Sequence, residues 1–263
     1  VGYATSRHIE GLPAPLQRVA GALVDWIPLA IVVVLWDLIS GAVVATAILP
    51  APGTVAGKIV ELFVTGQVFS HLYISLFRVV VGLGLSIIAG ILLGIGMARS
   101  DPVENFFDVF LAMTYPIPKT ALVPLAILWL GVGTSTAILI VFLACLLPIV
   151  LNSYNAAGNV DQNLIWSAEM MGTEGRDVLL KVIFPATIPE ILTGIRQAVP
   201  IAFVALVSAE LIASNQGMGY LILTSGQIGN YPRMFANIVV ISAVAFVAVR
   251  LFEEVRERWL VWT

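Results

Sequence analysis

The chain has 263 residues, 59% hydrophobic and only 11% charged, with a mean hydropathy of +1.00 and a formal net charge of −3. Soluble domains carry about 25% charged residues, so lipid solvates most of this chain, and no basic face for nucleic acid is expected. Two histidines and the single Cys145 exclude a disulfide framework and argue against a Cys/His metal cluster. Cys145 lies in an apolar run and reads as a small buried hydrophobe.

Residues 1–22 form a polar leader that contains proline, with an interfacial helix around Leu16–Leu23. Residues 1–20 contain Arg7, Glu10, Gln17 and Arg18 and no long apolar core. No cleavable signal peptide is therefore expected, and the first apolar run is read as a retained span. Runs long enough to cross a bilayer, about 20 residues each, appear at 26–48, 74–98, 104–131, 134–152, 188–213 and 234–252. Each is predicted helical, because lipid offers no partner to a free backbone amide. The fold class is an all-α polytopic membrane protein with six transmembrane helices. A leader occupies 1–25, the six-span domain 26–252 and a charged tail 253–263.

Lys and Arg placement sets the orientation. With the N-terminus inside, nine of the thirteen basic residues fall on the cytoplasmic side: Arg7, Arg18, Arg99, Arg176, Lys181, Arg196, Arg250, Arg256 and Arg258. Lys58 and Arg233 fall outside, and Arg78 and Lys119 within spans. Both termini are then cytoplasmic.

The external connector 49–73 opens with Leu49-Pro50-Ala51-Pro52-Gly53 and continues as an amphipathic helix near Val55–Val64. A proline-stiffened linker accounts for it fully. The second span carries Gly82, Gly84, Gly90, Gly94 and Gly96, and small residues at helical spacing let helix backbones approach closely. The third contains Tyr115-Pro116-Ile117-Pro118-Lys119-Thr120-Ala121-Leu122-Val123-Pro124, then Leu128-Trp129. Three prolines in nine residues rule out a straight helix. Broken backbone at membrane depth is tolerated where protein packs it or a wet path needs it. The break is read either as a kink or as part of a path.

Residues 164–196 are the longest stretch that does not read as membrane. Asp161 is positioned to cap a short helix with Leu164, Ile165, Ala168 and Met171 on one side. Gly172 stops it. Thr173 starts a second helix ending before Pro185, and Thr187-Ile188-Pro189-Glu190 reads as a capping box opening the next span. This elbow, about 161–187, is a docking-surface candidate; the plainer reading is an amphipathic connecting loop. Beyond the fifth span, residues 214–233 read as a short external helix and turn, and Glu253–Arg258 as a solvated helix end.

Asp37, Arg78, Lys119 and Glu210 are ionisable residues within spans, with Asp108 nearer the cytoplasmic side. At about 2.5–3.5 kcal/mol each at the bilayer centre, such groups face protein or water. One reading is structural pairing, Arg78 with Asp37 or Glu210. The other places Arg78 and Lys119 along a path, giving it positive potential suited to a small anion such as nitrate, bicarbonate or a sulfonate.

The sequence has no G-x-x-x-x-G-K-[ST] phosphate loop and no catalytic constellation. His8 lies in the leader, and His71 reads as a solvated residue of an external loop. No catalytic residue, metal ligand or cofactor site is assigned.

Several motifs resemble one family. Gly172, Ile183-Phe184-Pro185, Ile188-Pro189, Gly194 and Arg196 are similar to the "EAA loop" of inner-membrane subunits of binding-protein-dependent ABC importers. The nitrate/sulfonate/taurine/bicarbonate permeases are the nearest branch. His71, Ser75–Val79, the glycine ladder, the proline-rich third span, Ala209-Glu210 and Gln216–Leu221 match the same family. Trp166, Ser167 and Ala168 stand where its Glu-Ala-Ala is common; Glu169 replaces a basic residue, and Thr173-Glu174 an Ala-Ser.

The resemblance implies a type I importer (MetI-like) bundle in the prokaryotic inner membrane. It also implies a second permease copy in a two-fold dimer, two ATPase subunits carrying ATP and Mg, and an external substrate-binding protein. The elbow would sit in a groove of the ATPase through Leu164, Ile165, Ala168, Glu169, Gly172, Thr173 and Arg176. Arg78, Pro118, Lys119, Trp129 and Glu210 are the candidate path residues. The competing classes are a self-contained secondary transporter or channel, which would show an inverted repeat and a midplane ion site, and a membrane-embedded enzyme, which would need paired catalytic side chains at one depth. Neither signal is visible.

Overall fold

A computed structural model describes residues 14–259, with side chains from Ile27 onward; most of the predicted leader lies outside the described residues. The helices are α1 (Ala14–Ile39), α2 (Pro52–Val64), α3 (Gln67–Ala98), α4 (Asp101–Thr114), α5 (Val123–Leu130), α6 (Thr134–Gly158), α7 (Gln162–Met170), α8 (Arg176–Val178), α9 (Phe184–Ala213), α10 (Met218–Gln227) and α11 (Tyr231–Trp259). A 3₁₀ turn, Lys119–Leu122, precedes α5, and a π turn, Leu179–Ile183, fuses α8 to α9.

Among the described residues, α3, α6, the continuous rod Arg176–Ala213 and α11 are each long and apolar enough to cross a membrane. The pair α4 and Lys119–Leu130 makes a fifth crossing if its 90° bend is counted within one span. The described apolar part of α1, Ile27–Ile39, is shorter. The helix of the first expected span ends at Ile39 rather than 48. The chain there turns through Gly41 at φ 87°, and Ser40 Oγ donates to the Leu49 carbonyl at 2.7 Å. Trp36 Nε1 fastens this turn to the Pro50 carbonyl at 3.0 Å. Hydropathy stays high through 40–49, so composition alone does not show the turn.

The core forms where glycines let backbones meet. A Cβ on Gly82 would lie 2.8 Å from Val141, on Gly90 2.7 Å from Ile149, and on Gly94 2.6 Å from both Ser153 Cβ and the Val150 carbonyl. The constant offset makes α3 and α6 parallel neighbours, and Ser86 Oγ, 2.9 Å from the Phe142 carbonyl, ties them. Gly84 and Gly96 face open space. Helix α9 runs antiparallel to α6, with Gly194 against Asn152 and Pro148, and Ala198 against the buried Cys145. Helix α11 runs antiparallel to α9, joined by Arg196–Glu253 at 2.8 Å and Arg256–Thr193 at 3.2 Å. The charged end from Glu253 is thus partly paired, and α11 passes through it unbroken to Trp259. Helix α4 folds back along α6, where Tyr154 donates to Glu104.

The expected break before Pro185 is absent. The π turn widens the helix so that Phe184 N–H reaches the Leu179 carbonyl, and Pro185, which lacks an amide hydrogen, enters α9 without stopping it. Thr187 does not cap a new helix either. Its hydroxyl donates back to the Phe184 carbonyl at 2.8 Å within the same rod.

Gly94→Val is expected to lower the unfolding temperature of the detergent-solubilised protein, at a cost of about 1–3 kcal/mol from overpacking, whereas Gly84→Ala, which meets nothing within 4 Å, leaves it unchanged or higher. Thermal unfolding of both variants checks this seam.

Candidate functional site

Two clusters and the elbow hold the candidate residues. The first cluster is fully enclosed: Arg78 on α3 is 2% exposed and Glu210 on α9 0%. Arg78 Nη1 donates to Glu210 Oε1 at 2.8 Å, to Ser214 Oγ at 2.9 Å and to the Gln216 carbonyl at 2.9 Å, while Nη2 reaches Thr134 Oγ1 at 3.1 Å. The Glu210 carboxylate also accepts from Ser75 Oγ at 2.8 Å and from Gly219 N–H at 2.9 Å. Ser75 Oγ in turn accepts Met218 N–H at 2.9 Å. A charge at membrane depth is tolerable only when paired and hydrogen-bonded, and both partners meet that condition.

The glycines of the 216–219 run make room for this arrangement. A Cβ on Gly217 would collide with the Glu210 carboxylate, and one on Gly219 would lie 2.6 Å from Glu210 Cβ. His71 is not a solvated loop residue. It lies in α3, where its Nδ1 accepts Gly217 N–H at 3.0 Å and its ring stacks on Tyr220. Of the two partners expected for Arg78, Glu210 is the one found, and Asp37 is exposed on α1. Ser75, Thr134, Ser214 and the two glycines complete the node, and sequence reasoning missed their role; the Ser75-x-x-Arg78 spacing, one face of a helix, is a signal that could have found Ser75, while Thr134 and Ser214 lie too far along the chain to be read that way.

The second cluster is the break between α4 and α5, where Tyr115–Pro118 carry no helix and the axis turns by 90°. Lys119 Nζ donates to the carbonyls of Thr114 and, at 3.0 Å, Ile117. It caps the C-terminal end of α4, where the helix dipole favours a cation. Among the described residues no carboxylate lies within ion-pair distance of it. Pro118 is exposed and Trp129 is 67% exposed on α5. Thr136 Oγ1, donating to the Gly131 carbonyl at 2.6 Å, closes the end of α5. The five candidate path residues therefore divide: Arg78 with Glu210 in the buried node, and Pro118, Lys119 and Trp129 at the break.

In the elbow, Asp161 accepts Asn163 N–H at 2.9 Å and caps α7. The helix ends in paired reverse bonds, Gly172 N–H to Glu169 O at 2.9 Å and Thr173 N–H to Ala168 O at 3.0 Å, with Gly172 at φ 85°. The next helix starts at Arg176 rather than Thr173, because Gly175 makes a second sharp turn at φ 54°. The four apolar residues expected on one side split into two directions. Ile165 and Ala168 are buried, while Leu164 is 53% and Met171 80% exposed. Trp166 and Met170 join that exposed set, Glu169, Gly172 and Arg176 are exposed around it, and Thr173 is half-buried.

Residues 86–260 match the family described as binding-protein-dependent transport system inner membrane component. A putative aliphatic sulfonates transport permease of Bacillus subtilis is 34% identical over 88% of this chain and 85% of the relative. The taurine transport system permease of Escherichia coli is 31% identical over 80% of this chain and 78% of its own. Among solved structures, the MetNI methionine ABC transporter in inward-facing form has a chain that superposes with a TM-score of 0.61 at 14% identity, over 71% of this chain and 93% of that one. That likeness extends to the fold.

Glu210→Leu leaves a buried guanidinium unpaired, and a loss of about 3–5 kcal/mol is expected. The double variant Arg78→Met/Glu210→Leu recovers most of it. Thermal unfolding in detergent checks both; equal melting of the wild type and the single variant would show that the pair does not hold the fold.

Proposed function

The chain belongs to the family of binding-protein-dependent transport inner-membrane components, the transmembrane subunits of ABC importers, and we propose that its cargo is a small anion such as a sulfonate, nitrate or bicarbonate. Lys119 carries this reading. The Arg78 charge is cancelled by Glu210 inside the protein, but the Lys119 charge meets only carbonyl dipoles. A cation without a counter-ion beside a broken helix favours a passing anion. Two relatives are named for sulfonate-bearing cargoes, aliphatic sulfonates and taurine, which supports it. Pro118 opens the backbone there, and the exposed Trp129 flanks the path.

In the proposed assembly two copies of this chain pair about a two-fold axis, an external binding protein delivers the cargo, and two ATPase subunits bind ATP and Mg on the inner side. The excess of basic residues on one side of the spans supports a cytoplasmic elbow and cytoplasmic termini. There Leu164 and Met171 on one side of α7, and Trp166 and Met170 on another, are apolar side chains that water solvates poorly. The ATPase subunit covers these side chains together with Glu169, Gly172, Thr173 and Arg176. Ile165 and Ala168, turned inward, transmit movement of the elbow to the bundle rather than touching the partner.

Met171→Glu and Leu164→Glu are expected to abolish co-purification with the ATPase subunit while the permease still folds, since both side chains are exposed. Lys119→Met keeps that assembly but lowers ATP-driven sulfonate uptake into proteoliposomes about tenfold or more, the loss of one charge-assisted hydrogen bond. Unchanged uptake would remove Lys119 from the path.

A further inference from the structure

We propose that the groove between α3 and α6 holds one acyl chain of an anionic phospholipid whose head group is bound by Arg99. The groove encloses about 700 Å³. Val81, Leu85, Ile88 and Leu92 of α3 form one side, and Leu139 and Phe142 of α6 form the other. The four α3 residues recur at helical spacing and so share one face. That face leads to Arg99, the residue that closes α3. Arg99 follows Val81 by 18 residues, five full turns, and returns to the same angular position.

An apolar groove in a lipid-bathed protein says little alone, because a lipid chain is as apolar as leucine. A basic residue at the end of a helix is also ordinary, since the helix dipole favours it. Their alignment supplies the distinction. Leu85 lies 14 residues before Arg99, about 21 Å at 1.5 Å per residue. One leaflet offers about 15 Å of hydrocarbon below a head-group layer roughly 5–7 Å deep. A lipid with its phosphate at Arg99 therefore carries its chain past Leu92 and Ile88 as far as Leu85. Gly96, on the same face, leaves room between head and chain, since a Cβ there would meet nothing within 4 Å. The Arg99 side chain is exposed, and among the described residues no carboxylate lies within ion-pair distance of it. The acidic residues nearest in sequence, Asp101 and Glu104, belong to the first turn of α4, and Glu104 accepts from Tyr154. One unpaired guanidinium matches a head group with one net negative charge. A zwitterionic head group brings its own ammonium and gains less from the pairing.

The test reconstitutes the protein in nanodiscs of equal phosphatidylglycerol and phosphatidylcholine with matched acyl chains. The protein is then extracted into mild detergent, and native mass spectrometry counts the lipids it retains. Wild type is expected to keep one phosphatidylglycerol per chain, about fivefold over phosphatidylcholine, the contribution of one basic residue near a charged head group. Arg99→Gln makes the two lipids equal. Leu85→Trp fills the groove from an exposed position, so the fold survives and both lipids are lost. Val80→Trp, exposed on α3 but outside the groove, changes neither. Equal retention of the two lipids by wild type, a preference that survives Arg99→Gln, or retention that Leu85→Trp leaves intact overturns the lipid site. So does a loss in Val80→Trp as large as that in Leu85→Trp. A Leu85→Trp variant that parts paired chains, with no phospholipid on the wild type, would make a second copy the occupant and overturn it too.

Discussion

A guanidinium and a carboxylate shut away from solvent join parts of the chain more than 130 residues apart. Arg78 belongs to α3 and Glu210 to α9, and their remaining hydrogen bonds recruit Thr134 at the start of α6, the turn at Ser214–Gln216 and the first residues of α10. Neither charge could be tolerated alone at this depth. Because each is satisfied only when all four helices arrive together, the pair specifies one arrangement of helix ends, which apolar packing leaves open. Lipid supplies no hydrophobic force between helices, so such polar fastening and close backbone contact must do what a water-excluding core does elsewhere.

The close contact comes from α3. Its glycines at 82, 90 and 94 remove side chains where α6 approaches, and Gly194 does the same for α9. With this seam fixed along its length and the ionic node fixed at one end, α6 is held between two neighbours of opposite direction. The other end, packed at Ser153 against Gly94 and bonded through Tyr154 to Glu104, leads into the elbow. The division leaves the break at Tyr115–Pro118 outside both fastenings, between α4, which packs on α3, and α5, whose Val123 and Ala126 are buried against the bundle.

The apolar runs were legible because a bilayer imposes a length on them, and the helical breaks because proline lacks a donor. Asp161, Gly172 and a break in the proline-rich third span could be read from local residues for that reason, but not the right angle the break makes after Thr114. The partner of Arg78 could not: Asp37 and Glu210 were equally good by composition, and only the fold separates an exposed side chain from an enclosed one. Pro185 misled the reading in the other direction. A proline signals a stop when the ladder before it is ordinary, but the ladder here widens by one residue first, and local sequence rules take no account of that. His71 shows the same limit. Its role depends on a glycine amide 146 positions away.

That widened turn, Leu179–Ile183, has a mechanical consequence. The rod from Arg176 to Ala213 has 38 residues and spans about 57 Å at 1.5 Å per residue, so one continuous helix joins the glycine turn at 175 to the carboxylate at 210. A wide turn holds one surplus residue. Were it to slide along the shaft, every residue it passed would rotate by about 100°, the angular step of one helical position. The stretch just beyond it carries Pro185 and Pro189, which have no amide hydrogen to give to either an ordinary or a widened ladder, so the rod is held there by fewer backbone bonds than a helix without proline.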